Sequence, residues 1–166
     1  ADPTSDYLKA GVAAMSRAKD DAIYAAARGN ARSSSGTVAL PAAQKIAVGG
    51  TGLTKAKIIQ AKKMFRANEC DEENGEELYF AYGSEQMEDL LGDTTLTSAD
   101  FMAIQMLQDG AVGKRWGGFR WIPSEPMTLA TTTRYTIAWA KSGLALGVGA
   151  EIMTRVTERA DKSYAM

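Results

Sequence analysis

The chain has 166 residues, 45% of them apolar and 23% charged, enough for one domain that buries roughly two thirds of its unfolded surface and too little for a many-domain machine. It contains no histidine and a single cysteine, Cys70, which excludes Ser-His-Asp and Cys-His catalysis, His-ligated metals, zinc clusters and internal disulfides. No apolar run approaches the ~20 residues that a membrane-spanning helix needs. The net charge of −1 argues against general binding to a phosphate backbone, which calls for a basic stripe.

Asp2 is an N-cap candidate with Pro3 at the first helical position. Leu8, Val12, Met15, Ala22, Ile23 and Ala26 then recur at three- and four-residue spacing, which predicts a long amphipathic helix. Lys9, Arg17, Lys19, Asp20 and Asp21 line its wet face, and the helix is expected to stop near Arg28-Gly29-Asn30. Residues 30–52, with Ser33-Ser34-Ser35-Gly36 and Gly49-Gly50-Thr51-Gly52, read as a mobile loop too polar to be a core element. Thr54 is positioned to cap a second helix through about Ala67, with Ile58, Ile59, Ala61, Met64 and Phe65 inward and Lys55, Lys57, Lys62, Lys63 and Arg66 outward.

Asn74-Gly75 marks a turn, and Leu78-Tyr79-Phe80-Ala81-Tyr82 has the pattern of a buried strand. Ser84 follows as a cap for a short helix over 85–91, with Met87, Leu90 and Leu91 inward. A further helix is expected over 98–108, where Phe101, Ile104, Met106 and Leu107 supply an apolar side and Gly110 a stop. Beyond it the period changes. Phe119 and Trp121 alternate before Pro123, and Tyr135, Ile137 and Trp139 alternate after the turn-prone Pro123-Ser124-Glu125-Pro126. A Gly-punctuated apolar piece (Leu144, Ala145, Leu146, Val148) leads to a last extended run over about 151–158. The pattern is α+β, with helices early and sheet late.

Charge falls in three blocks. Residues 1–68 hold eleven Lys or Arg against four Asp or Glu (+7), residues 69–100 hold eleven acids and no base (−11), and residues 101–166 hold eight bases against five acids (+3). The acidic block either folds against basic faces of its own molecule or meets the basic block of a neighbouring copy head to tail, a contact that closes into rings or extends into larger assemblies.

Four patterns invite a chemical reading, and each has a plainer one. Glu69, Asp71, Glu72, Glu73, Glu76 and Glu77 offer oxygen ligands for a hard cation or paired carboxylates for hydrolysis, but the EF-hand spacing is missing and a turn this acidic is ordinarily a solvated surface. Gly49 to Gly52 before Thr54-Lys55 suggests a phosphate cradle, yet the Gly-Lys-Ser/Thr tripeptide of a P-loop is missing. Cys70 lies among carboxylates, which disfavour a nucleophilic thiolate. Trp116, Phe119, Trp121, Tyr135 and Trp139, with Arg115, Arg120 and Arg134 nearby, could stack bases, although alternating aromatics in strands are usually core. No catalytic, cofactor-binding or metal-ligating residue follows from these patterns, and no cofactor is expected.

Read in order, the segments resemble a family. Asp2-Pro3-Thr4-Ser5-Asp6-Tyr7 running into a helix with Arg17, Asp20 and Asp21, then Val38-Ala39-Leu40-Pro41, then Gly52-Leu53-Thr54 look like the opening of tailed-bacteriophage major capsid proteins. Leu90-Leu91, Ser98-Ala99-Asp100-Phe101, Leu107 with Gly110, Trp116-Gly117-Gly118-Phe119 and Trp121-Ile122-Pro123-Ser124-Glu125 are similar to its middle, and Glu158-Arg159-Ala160-Asp161-Lys162-Ser163-Tyr164 to its late strand region.

The resemblance spans nearly the whole chain and implies the Hong-Kong-97-type shell fold, a single capsid core. Residues 1–29 would be the spine helix of the peripheral domain, residues 30–148 mostly the axial domain with its sheet and flanking helices, and residues 149–166 the return strand. Family members normally carry an N-terminal arm and an extended hairpin before the spine helix, and further strand after Ser163-Tyr164, so the chain reads as a core fragment. The implied function is structural and non-enzymatic. The subunit, of a bacteriophage or prophage, would be made in the cytoplasm of a bacterial host and would reside in the virion capsid, self-assembling into pentamers and hexamers that enclose double-stranded DNA with weak, non-specific contacts. Scaffold and portal proteins would be further partners, with no membrane involved. The rival readings are a carboxylate-dependent metal-binding hydrolase built on the acidic block and an encapsulin-like cellular shell protein.

Overall fold

A computed structural model of the chain describes residues 3–93, 115–125, 127, 129–130, 133–149, 157–159 and 162–165. The helix expected over 98–108 lies outside the described residues, as does Asp2.

Helix α1 runs over Pro3–Arg28, 26 residues, about 39 Å at 1.5 Å per residue. It ends where expected, but not by a left-handed residue: neither Gly29 nor Asn30 has a positive φ. Glycine at 29 relieves crowding, because a Cβ there would lie 3.0 Å from the Ala25 carbonyl oxygen. The face that packs matches the expected one in part, because Leu8, Met15 and Ile23 are half-buried. Val12 is 59% exposed, Ala22 and Ala26 are exposed, and the fully buried one among the described side chains is Tyr24. The helix is seated by this aromatic anchor near its C-terminal end, against Ala81 and Met127.

Residues 30–52 are more ordered than the loop reading expects. Strands β1 (Ala31–Ser33) and β2 (Gly36–Val38) form an exposed antiparallel hairpin with Ser33 opposite Gly36, so the segment is regular without joining the core. A short 3₁₀ turn follows at Ala42–Gln44. Ile46 packs against the main core and Leu53 is buried in it.

Helix α2 (Lys55–Ala67) has the expected bounds. The Thr54 hydroxyl makes no capping bond, so the start is set by backbone geometry alone. At the other end Asn68 closes the helix, its Nδ2 donating to the Met64 carbonyl at 2.7 Å. Ile58 and Ala61 are buried, whereas Ile59 is 59% exposed against the inward expectation. The Asn74-Gly75 turn is present, a 3₁₀ turn at Glu72–Asn74 closed by Gly75 at φ 81.

The centre of the molecule is a four-stranded sheet in the order β4-β5-β3-β8. Strand β3 (Leu78–Tyr82) is almost wholly buried. It runs parallel to β5 (Phe119–Pro123) and antiparallel to β8 (Ala138–Ala140). Strand β4 (Arg115–Trp116) returns into β5 through Gly117 and Gly118. Both glycines have positive φ, 62 and 83, the requirement of a two-residue type I′ turn.

Side chains alternate across the sheet. One face carries Leu78, Phe80, Tyr82, Phe119 and Trp121 against Ile58 and Ala61 of α2 and Leu90 of helix α3 (Ser84–Gly92). Aromatic rings pack edge to face there, Phe80 with Phe119 at 5.6 Å and Phe65 with Phe119 at 5.9 Å between centroids. The opposite face carries Ala81, Ile137 and Trp139 with Tyr24 of α1.

The late strands are shorter than the alternation suggests. β6 (Leu129–Ala130) pairs with β7 (Thr133–Arg134), and Tyr135–Ile137 is not strand, although the Ile137 carbonyl still accepts the Ala81 N–H at 2.9 Å. Leu146 and Val148 are exposed. The C-terminal extended run is a hairpin, β9 (Thr157–Arg159) with β10 (Lys162–Ala165), and residues 151–156 of that run lie outside the described set. The α+β class holds.

Candidate assembly surface

The acidic turn after α2 folds onto the basic face of that same helix. Lys62 pairs with Glu72. Arg66 reaches Glu73 at 2.7 Å and Asp71 at 4.0 Å. Asp71 is buried and accepts from Asn74 Nδ2 at 3.1 Å. Glu77 accepts from the Tyr79 hydroxyl at 2.7 Å and pairs with Arg115 at 3.2 Å and Arg120 at 3.4 Å. Of the two arrangements open at the sequence level, the intramolecular one accounts for Asp71, Glu72, Glu73 and Glu77. Asp71, Glu72, Glu73, Glu76 and Glu77, which a metal site or a hydrolase would need to converge, are instead turned to cations, amides or the Tyr79 hydroxyl. Among the described residues no group of three or more Cys, Asp or Glu side chains is placed to hold a metal ion.

These pairings shift titration in the direction charge dictates. The Lys62 hydrogen bond holds the Glu72 carboxyl below its usual range. The Tyr79 hydroxyl, followed by Arg115, does the same for Glu77, and the same bond pushes the Tyr79 phenol up. Burial raises the Tyr24 phenol, partly offset by its hydrogen bond to Ser124.

The other candidates resolve into structural roles. Lys57 Nζ donates to the carbonyls of Val48, Thr51 and Gly52 at 2.7, 2.6 and 2.6 Å, so the glycine-rich loop presents oxygens to a lysine rather than N–H groups to a phosphate. The Leu53 N–H donates to Asp89 Oδ2 at 2.8 Å. A Cβ at Gly52 would overlap that carboxylate, so the Asp89–Leu53 hydrogen bond depends on glycine there. Cys70 is exposed and free.

The five aromatics do not make one platform. Phe119 and Trp121 are core. Trp116 sits beside Trp121, whose Nε1 donates to the Trp116 carbonyl at 2.9 Å. Trp139 stacks on Tyr79 across the sheet at 5.6 Å, and Tyr135 lies under Arg28 at 4.3 Å.

A network that the sequence reading missed holds the start of α3. Glu125 accepts the Ser84 N–H at 2.6 Å and the Ser84 hydroxyl at 3.2 Å, and Arg134 bridges Glu125 at 2.9 Å and Glu85 at 3.3 Å. Gln86 Oε1 accepts the Gly83 N–H at 3.0 Å, so Gly83 takes the N-cap position expected of Ser84. The Ser84 bonds hold the Glu125 carboxyl below its ordinary range. A sequence signal existed in Gln86, three residues after the cap, but Glu125 is distant in the chain.

Among the described residues, two surfaces keep apolar side chains exposed. The first is α1, whose Tyr7 is 60% exposed along with Val12. The second is a groove of about 530 Å³ between α2 and the β4–β5 turn, floored by Ile58, Ile59, Trp116 and Gly117 and edged by basic side chains of α2.

A family model described as phage capsid protein matches residues 1–166. No curated protein and no solved structure matches the chain. The match covers the whole length of the chain, and the chain belongs to the phage capsid protein family.

Proposed function

We propose that the chain is the shell-forming part of a non-enzymatic capsid subunit with the Hong-Kong-97-type fold, which tiles into pentamers and hexamers around double-stranded DNA. In this reading α1 is the spine, residues 30–148 form most of the axial domain, and the C-terminal hairpin returns to the peripheral one. The observation that carries it is α1, a 26-residue helix whose one fully buried side chain among those described is Tyr24, while Tyr7 and Val12 stand in solvent. An isolated helix of this kind is marginal in water and gains its stability from packing an apolar face, so a subunit completed by its neighbours suits it. DNA contact is weak and sequence-independent, because the bases at 62, 66, 115 and 120 are taken by carboxylates.

Electron microscopy and sedimentation of the natural-length protein expressed in bacteria test this. Closed shells or five- and six-fold rings are expected. A monomer at every concentration, with no particles, overturns the reading, and shells that never hold DNA during phage growth favour the encapsulin-like alternative.

A further inference from the structure

The groove beside α2 is built from one helical stripe. Lys55, Ile59 and Lys63 follow at four-residue spacing, with Ile58 and Lys62 on the adjoining row. Lys55 and Lys63 stand about 12 Å apart along the helix. Lys62 and Arg66 are occupied by Glu72 and Glu73, whereas Lys55 and Lys63 have no carboxylate partner among the described residues. Between them lies Ile59, 59% exposed, beside half-buried Trp116. An apolar floor between two unpaired cations favours a protein segment carrying a carboxylate next to apolar side chains. It disfavours DNA, whose phosphates would meet the Glu72 and Glu73 carboxylates at the same rim.

The chain itself presents such a segment. Residues 69–93 contain no base, and within them Glu88 on α3 is exposed and has no partner among the described residues, with Met87 and Leu91 partly buried on either side. Other free acids fit less well: Asp6, Asp20 and Asp21 share α1 with Lys9, Arg17 and Lys19, and Glu69 sits at a helix end at φ 55. Helices α2 and α3 both pack on the same face of the central sheet. We infer that the α2 groove of one subunit receives α3 of a second copy, Lys55 and Lys63 flanking Glu88 over a floor of Ile59 and Trp116. The contact is heterologous, the kind that closes into rings. It rests on the shell-subunit reading and names the contact by which that subunit would associate.

The test is charge exchange in the natural-length protein, with assembly followed by light scattering and fold by circular dichroism. Lys55→Glu with Lys63→Glu should slow assembly at least about tenfold near 0.1 M salt, with a smaller effect at 1 M where exposed charges are screened. Adding Glu88→Lys should restore the rate to within about twofold. Ile59→Ser should slow assembly at both salt concentrations, because its contribution is apolar. Should the double reversal perturb folding, Lys55→Gln with Lys63→Gln gives the same sign with a smaller loss.

Normal assembly of the folded lysine variants, or a defect that Glu88→Lys fails to relieve, overturns the inference while leaving the shell reading intact. Shells that form normally but lose packaged DNA in the lysine variants also overturn it and assign the groove to DNA. A wild-type protein that never assembles overturns both readings.

Discussion

Strand β3 and helix α1 are both apolar by pattern, yet they end in opposite environments. Four of the five residues of β3 are buried, because β5 and β8 take its edges while α2 and α3 cover one face. Helix α1 has five times the length and buries Tyr24. An apolar stripe states that a face needs a cover, and it does not state whether the cover is the same molecule or the next one. The central sheet is finished within the chain. α1 and the α2 groove keep apolar side chains exposed.

The sharpest way to break this comparison is to remove a side chain from each region. Phe119 is 0% exposed and packs against Phe65 and Phe80, so Phe119→Ala should destabilise the chain by about 3–5 kcal/mol in chemical denaturation. A loss below about 1 kcal/mol would mean that the sheet face is not the folding core.

A middle-sized effect belongs to the Glu125 network, which ties a loop to α3 without apolar burial. Glu125→Ala should cost about 1 kcal/mol, the usual worth of a helix N-terminal acceptor. Its pH dependence has a definite sign. The folded carboxyl titrates below its unfolded value, as do Glu72 and Glu77. Their contributions are therefore complete above the unfolded carboxylate pKa of about 4.3 and fade as pH falls through the lowered folded values. Acid melts should show a steeper stability loss in wild type than in Glu125→Ala, and equal slopes would remove Glu125 from the account.

The smallest effect is expected on α1. Val12→Ser should change the chain's own stability by no more than about 0.5 kcal/mol, because the side chain is exposed, while reducing the yield of assembled particles. A large loss in the folded monomer would place the cover of α1 within the chain.

Local chemistry made several elements legible. Asn74-Gly75 gives the turn, with Gly75 left-handed as such a turn requires. The aromatic run at 78–82 and the alternation at Phe119 and Trp121 give the strands that pair in the sheet. The bounds of α2 follow from its periodicity. The site was less legible, because the groove combines a helix with the Gly117-Gly118 turn some sixty residues away. The aromatic candidates illustrate the same limit: alternation placed Phe119 and Trp121 inward but could not place Tyr135 under Arg28.

What the sequence by itself determined is the α+β class, the membership implied by the order of its motifs, the helix and strand starts set by turns and periodicity, and the exclusion of histidine and disulfide chemistry. These depend on residues within a few positions of one another, where sterics and hydrogen bonding act on adjacent backbone. The tertiary structure decided which charges cancel and which faces remain open. Glu125 on Ser84 and Asp89 on Leu53 join residues 41 and 36 positions apart. The acidic block turned inward to Lys62, Arg66, Arg115 and Arg120 because the chain brings α2 and the β4–β5 hairpin beside it. Charge and hydrophobicity carry no address, and only packing of the whole chain selects the partner.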